Sequence, residues 1–504
     1  MKSTALNAPR RTTELAEATD GRTADLLVVG LGVTGAGVAL DAAARGLDVV
    51  AVDAHDLAFG TSRWSSKLVH GGLRYLAQGH VGLARESAVE RGILMEHTAP
   101  HLVSAAPWVM PLTAQVSARL AAFAWSGLRA GDLLRAGAGT SHRTLPRPRR
   151  LTAVETLAWA PMLRRESLRG GLLSWDGQLS DDVRLVIALA RTAAGRGARI
   201  LTRVRALSVT GGGAEVRDEL TGAELVIRAR AVVNATGVWA GGLVPDVHLR
   251  PSRGSHLVLS AAALPGLRSV ITAPVAGERS RFVLVLPQAD GRVYVGLTDE
   301  PVEGPLPDVP TPTDAEVDYL LDLVNDLVEA ELTRVDVIGA FAGLRPLLEA
   351  DGRTSDLSRS HAVLVSGDDV VTVVGGKLTT YRRMAEDAVD AAVRTRGLRA
   401  GSCRTTRLPL VGAADPATLA GLGVPRRLIG RYGVESVRVA SLPGAERQVA
   451  DGVPYTHAEL AFGVSHEGAL DVDDLLDRRT RIGLAAKDRA TAEAAAESAL
   501  SLVS

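Results

Sequence analysis

At 504 residues the chain exceeds the roughly 250–300 residues that one hydrophobic core serves, so two or more domains are expected. Its 46% hydrophobic and 23% charged content is that of a soluble or peripheral protein, and no apolar run of about 18 residues offers a membrane span. The 57 basic residues are balanced by 57 acidic ones, which argues against a nucleic-acid partner.

The single cysteine, Cys403, excludes an internal disulfide. No positive-then-apolar leader opens the chain, so a reducing cytoplasmic location is the expectation. Lysine is scarce: Lys2, Lys67, Lys377 and Lys487 leave 53 of the 57 basic residues as arginine. Where guanidinium is so preferred, a lysine kept inside a glycine-rich motif points to a need for a compact ammonium. Lys67 and Lys377 both sit that way.

In chain order, residues 1–24 are polar with mixed charges and read as a loose N-terminal tail or a short amphipathic arm. From Asp25 the pattern is a strand at Leu26 to Val29, a glycine turn, an alanine-rich helix to about Arg45 and a strand at Leu47 to Val52, which is a βαβ unit. Further strands are predicted at Ala229 to Val233, Phe282 to Leu286, Val293 to Gly296 and Val370 to Val374, giving a mixed α/β protein. From Thr313 to about Leu332, apolar residues at Val317, Leu320, Leu321, Val324, Leu327 and Val328 predict an amphipathic helix, capped by Thr313 and Glu316. The stretch Arg407 to Gly412 contains Pro409 and interrupts the pattern, and a C-terminal helical domain follows.

The turn Gly30-Leu31-Gly32-Val33-Thr34-Gly35 directly follows an apolar strand and opens a helix, and Asp53 closes the next strand about 20 residues on, as a dinucleotide fingerprint requires. Gly30, Gly32 and Gly35 let the backbone approach a pyrophosphate at the helix N-terminus, and Asp53 can accept from a ribose hydroxyl. Neither Gly211 to Gly213 nor Gly421-Leu422-Gly423 repeats that context, so one dinucleotide is expected. The segment from Gly60 to Tyr75 is too polar for a core helix. Its hydroxyls, glycines and lysine, including Thr61, Ser62, Ser66 and Lys67, suit a loop around the pyrophosphate and ribityl chain of FAD.

With those segments in hand, the sequence resembles the FAD-dependent glycerol-3-phosphate dehydrogenases, which share a fold with D-amino-acid oxidase. The resemblance rests on Asp25 to Asp41, Phe59 to Leu76, Val233-Asn234-Ala235-Thr236-Gly237-Val238-Trp239, Gly254-Ser255-His256, Gly343-Leu344-Arg345-Pro346-Leu347 and Gly375-Gly376-Lys377-Leu378-Thr379-Thr380-Tyr381-Arg382. His466-Glu467 and Arg478-Arg479-Thr480 extend it. It implies an FAD-binding Rossmann-like domain with a mixed-sheet substrate domain over 25–400, the FAD parts at about 25–110, 175–255 and 340–395, and a C-terminal α-helical domain over 401–504. It further implies oxidation of sn-glycerol 3-phosphate to dihydroxyacetone phosphate, with electrons passed to a quinone or other acceptor.

That chemistry needs a base for the hydroxyl proton, cations for a phosphate dianion and stabilisation of the anionic reduced flavin. His256 is the expected base, with a pKa near neutrality. Arg345 and Lys377 are the expected phosphate clamp, with Arg74 as a third cation, Arg359 as a less secure one and Tyr75 to orient the hydroxyl. Gly237, Gly376 and Thr379 are assigned to FAD, and no metal ligand is assigned. Leu297 stands where the family has a threonine, which removes a hydroxyl near the substrate region.

From Leu112 to Arg150 seven arginines face one acid, Asp132, with Phe123 and Trp125 between them. Such a stretch suits an anionic membrane surface. The alternating acids and arginines of the C-terminal domain suggest helix-face pairs and homodimer contacts. Oxygen as acceptor, an amine or amino-acid oxidase, and a flavin-holding scaffold remain alternatives.

Overall fold

A computed structural model describes residues 2–77, 79–275, 281–349 and 360–502. Strand β1 (Thr23–Val29) runs parallel to β2 (Val49–Val52) on one side and to Glu224–Asn234 on the other. Val370–Gly375 and Arg199–Leu201 extend this parallel arrangement outward, and His361–Val365 closes one edge antiparallel. Leu26, Leu27 and Val28 have no solvent exposure. That is why β1 reads as an unbroken apolar run instead of an alternating one: both faces of a parallel sheet are covered.

Helix α2 (Val33–Ala44) lies on one face between Asp182–Gly195 and Tyr381–Arg396. Its small residues permit close packing, since a Cβ at Gly37 would lie 2.9 Å from the Tyr381 ring. The expected strands at 229–233, 282–286, 293–296 and 370–374 all fall inside observed strands. The amphipathic helix forms as Asp314–Asn325 with the Thr313/Glu316 capping box, ending before the predicted Leu332. Asn325 turns the chain there by exchanging hydrogen bonds with the Leu332 backbone.

A second, mixed sheet is built around Ser252–Ser260, which pairs with Val337–Arg345 on one side and Arg292–Gly296 on the other. Val270–Pro274 joins it in parallel to Val103–Pro111, and Asp314–Asn325 packs over its apolar face. His256 and Arg345 therefore come from adjacent strands of the substrate sheet. Lys377 follows the last parallel strand of the nucleotide sheet.

Before β1 the chain takes the second of its two expected forms, an amphipathic arm and not a loose tail. Asn7 caps a helix, α1 (Ala8–Ala18), by accepting from Arg10 N at 3.0 Å, and α1 buries Arg11, Leu15 and Ala18. Arg11 donates to the Thr202 carbonyl at 2.7 Å and pairs with Asp218. The buried face of α1 is anchored by an arginine.

The C-terminal helices include Arg426–Tyr432, His457–Glu467 and Ala486–Ser501, with a core at Leu460, Leu475, Leu476, Ile482 and Ala496. Some of the acid–arginine pattern does form local pairs, as Arg489 with Asp477 at 2.7 Å. Arg478 and Arg479 instead reach across to buried Asp56 in the loop after β2. In the reverse direction, Arg184 of the nucleotide domain grips Glu467 with two bonds of 2.6 and 2.7 Å.

Candidate active site

The glycine turn joins β1 to α2. Gly30 has φ +100° and faces Ala235, whose carbonyl oxygen would be 2.6 Å from an added Cβ. A Cβ at Gly35 would overlap the Gly30 carbonyl. These glycines are demanded by the close approach of chain to chain as well as by any ligand. Gly32 caps α2, and Ser62 Oγ accepts from Val33 N at 2.9 Å. Asp53 accepts from the amides of Leu31 (2.6 Å) and His55 (2.8 Å), and so ties the turn to the end of β2. Burial pushes its carboxyl up to about 6 against those two hydrogen bonds.

From this turn a cleft of about 1550 Å³ extends past Gly60, Thr61, Ser62 and Ser66 to His256, Arg345, Lys377 and Tyr75. The volume exceeds the roughly 300–1,000 Å³ of a pocket for a drug-sized ligand, and it suits a dinucleotide with a small substrate beside it. Gly237 (φ +62°) and Gly376 (φ +73°) border the cleft in left-handed conformations, and Thr379 lines it from the turn before Tyr381–Arg396. Thr61 lines the cleft too, but its hydroxyl donates to the Leu344 carbonyl at 2.6 Å. The glycine turn, the exposed strip of backbone and the far polar end together fit FAD.

At the far end, Arg345 Nη1 is 3.2 Å from both Asp299 Oδ1 and Ser252 Oγ, and Nη2 donates to the Thr298 carbonyl at 3.1 Å. Lys377 donates to Ser87 Oγ at 2.7 Å, and its ammonium stands 3.9 Å from the centre of the Tyr75 ring. His256 is fully buried, stacks on Phe341 at 4.7 Å, and has Nε2 2.9 Å from Ser66 Oγ. Its Nδ1 has no hydrogen-bond partner among the described residues.

Two expectations are corrected here. Burial above all, with help from the charges of Lys67 and Arg345, lowers His256 to about 3, so its imidazole is neutral well below the expected near-neutral pKa. Lys67 does not line the cleft: its fully buried ammonium is taken up by Asp182 and two carbonyls of its own loop. A polar, glycine-rich loop looks the same in sequence whether its lysine faces a ligand or turns inward. The side chain of Arg74 and the whole of Arg359 lie outside the described residues.

Some participants escaped the sequence reading. Arg281 lines the cleft and pairs with Glu300 at 2.9 Å, but it stands in no recognisable motif. Asp182 stands in none of the motifs either. Glu316 read as a cap, and it also accepts from Ser255 (2.9 Å) and Thr298 (2.8 Å) behind the substrate end.

Residues 25–382 match the family described as FAD dependent oxidoreductase, and residues 403–504 match the C-terminal domain of alpha-glycerophosphate oxidase. Over 99% of both chains the sequence is 54% identical to glycerol-3-phosphate dehydrogenase 1 of Mycobacterium tuberculosis. The chain belongs to the FAD-dependent glycerol-3-phosphate dehydrogenase family. It is 38% identical to glycerol-3-phosphate dehydrogenase 2 of the same organism, over 91% of this chain and 81% of that one. The glycerol-3-phosphate dehydrogenase of Bacillus halodurans, solved with FAD, superposes with a TM-score of 0.73 at 27% identity, covering 98% of each chain. An L-alpha-glycerophosphate oxidase of Mycoplasma pneumoniae shares the fold at 19% identity, with a TM-score of 0.57 over 77% of this chain and 99% of that one. The family fixes FAD as the cofactor and an α/β oxidoreductase with a helical C-terminal domain as the architecture.

Proposed function

We propose that this protein oxidises sn-glycerol 3-phosphate to dihydroxyacetone phosphate, with its catalytic domain over 25–400 and its helical domain over 401–504. The observation that carries this reading is the meeting of His256, Arg345 and Lys377 at the far end of the cleft that begins at the glycine turn. FAD, when bound, supplies the ring that accepts the hydride and its two electrons. The protein residues do the rest.

Arg345 and Lys377 hold the phosphate dianion. Arg345 is aimed by Asp299 and the Thr298 carbonyl, and Lys377 rests on Tyr75. The substrate hydroxyl then lies against His256, whose neutral ring can take the hydroxyl proton as the hydride leaves the adjacent carbon and the carbonyl forms. In the free site burial above all, and then Lys67 and Arg345, disfavour an imidazolium. A bound dianion offsets those charges, so the proton affinity of His256 rises when substrate is in place. Several cations favour a phosphate over the carboxylate of an amino-acid substrate.

Electrons then pass to a quinone or other acceptor. Ala118–Gly137 contributes Leu120, Phe123 and Leu128 to the rim of the same cleft, while Phe123 and Leu133 stay 61% and 74% exposed. Six of the seven arginines between Leu112 and Arg150 are exposed; Arg135 alone is buried, against Asp132. This mixed apolar and basic surface supports a cytoplasmic, peripheral contact with anionic lipid from which a lipophilic acceptor enters. No helix among the described residues is long and apolar enough to cross a membrane. A homodimer through the C-terminal domain remains part of the proposal.

Anaerobic addition of sn-glycerol 3-phosphate to the yellow protein should bleach the flavin, and reoxidation should be faster with a quinone than with oxygen. No bleaching, or equal bleaching by glycine, overturns the substrate; faster reoxidation by oxygen overturns the acceptor.

A further inference from the structure

We propose that Lys67 and Asp182 form a buried positioning pair that fixes Ser66 against His256 and thereby sets the orientation of the proton acceptor. This rests on the reading of His256 given above. The Lys67 ammonium has three hydrogens and meets three acceptors: the Arg63 carbonyl at 3.0 Å, the Ser65 carbonyl at 3.1 Å and Asp182 Oδ2 at 2.9 Å. Two of these belong to its own loop, so the side chain staples residues 63–67 into one shape. The backbone of Lys67 is held at φ +58°, a region that a non-glycine residue adopts only when its surroundings enforce it.

Asp182 completes the staple from the other side. Its Oδ2 also accepts from Ser65 N (3.0 Å) and Ser65 Oγ (2.7 Å), and Oδ1 accepts from Val183 N at the start of its helix. Burial acts to raise its carboxyl, but the charges of Lys67 and Arg481 and side-chain hydrogen bonds with Asp181 and Lys67 outweigh burial and hold it below the usual carboxylate range. Loop and helix are thus locked by a charge pair with no solvent access.

The consequence falls on the residue between the two stapled positions. Ser65 and Lys67 bind inward, while Ser66 lines the cleft and puts its hydroxyl 2.9 Å from His256 Nε2. Phe341, the ring on which His256 stacks, lies 5.0 Å from the Lys67 ammonium. One lysine therefore holds both the hydroxyl that occupies one imidazole nitrogen and the ring that fixes its plane. The choice of lysine in a chain so rich in arginine follows: a planar guanidinium cannot direct three hydrogens to a trigonal set of acceptors on one side.

The test uses full-length, FAD-loaded enzyme: wild type, Ser66→Ala, Ser66→Thr and the charge-neutral double variant Lys67→Met/Asp182→Asn. Bleaching of wild type by sn-glycerol 3-phosphate checks the underlying substrate reading by itself. Single-turnover reduction is then followed against pH. Ser66→Ala and the double variant are expected to reduce flavin at least about 10-fold more slowly, with the same displaced pH profile, while substrate affinity stays within about 3-fold. Ser66→Thr is expected to restore the rate and the profile.

Histidine ¹⁵N resonances of the substrate-free enzyme give a second readout that needs no turnover. Loss of the Ser66 hydroxyl, or of the charge pair behind it, should change the balance of His256 tautomers. A wild-type pH profile and wild-type tautomer balance in Ser66→Ala would overturn the proposal. The same wild-type behaviour in a folded double variant would remove the charge pair from it, and should that variant not fold, Ser66→Ala alone decides.

Discussion

Replacing Asp56 by alanine tests whether the C-terminal domain is locked to the nucleotide domain by buried charge. Asp56 Oδ2 accepts from Arg478 Nε at 2.7 Å and from Arg479 Nη1 at 2.5 Å, and Oδ1 accepts from Arg479 Nη2 at 2.9 Å. Burial opposes its charge, but Arg479 and then Arg478 outweigh that and hold the carboxyl well below its usual range. Truncation leaves two guanidiniums buried with less charge to meet, a change that destabilises by about 3–5 kcal/mol. Arg478 keeps Asp474 at 2.5 Å and Arg479 keeps the Glu467 carbonyl, so the effect should fall near the lower end of that range.

At about 4 °C per kcal/mol for a domain of about 100 residues, the calorimetric transition of the C-terminal domain in the FAD-loaded enzyme should drop by about 12 °C. Asp56 stands three positions after Asp53, so FAD release should accompany the loss. The contribution of Asp56 itself is complete above the unfolded carboxyl pKa and disappears only in acid, so a large difference should persist at pH 7. A transition within about 2 °C of wild type would refute the reasoning.

Three further outcomes are expected. Gly35→Ala should weaken FAD binding by at least about 10-fold because the new Cβ overlaps the Gly30 carbonyl, while Gly32→Ala meets only the movable Ser62 hydroxyl at 3.0 Å and should cost less than about 3-fold; fluorescence titration of the apoprotein measures both. Lys377→Met should leave FAD content unchanged but raise the Kd for sn-glycerol 3-phosphate by at least about 10-fold, and equal affinity would remove Lys377 from the clamp. His101 is buried and lowered to about 3, first by burial and then by Arg184. Its stabilising contribution is present above about pH 6.5 and lost as the pH falls toward 3, amounting to about 2 kcal/mol by pH 5. His256, also lowered to about 3, contributes a similar loss, so urea unfolding at pH 7 and pH 5 should show a drop in stability about 2 kcal/mol larger in wild type than in His101→Phe.

Features with local causes were legible in the sequence. The glycine turn, the capping box at Thr313 and the apolar parallel strands each depend on residues within a few positions of one another. Features with distant causes were not. The pKa of His256 is set by its burial, then by Lys67 and Arg345, which come from separate segments. The direction of Lys67 depends on an aspartate 115 positions away. Even α1 is held by an arginine whose acceptors, Thr202 and Asp218, lie on the far side of the nucleotide sequence.

The locks on Asp56 also order the birth of the site. Ribosomal synthesis delivers the glycine turn among the first residues, but the strands flanking β1 include Glu224–Asn234, and the sheet then waits for Val370–Gly375. Arg478 and Arg479 emerge some 420 residues after the aspartate they neutralise. The nascent nucleotide domain therefore carries a carboxylate awaiting its partners until Arg478 and Arg479 have been made.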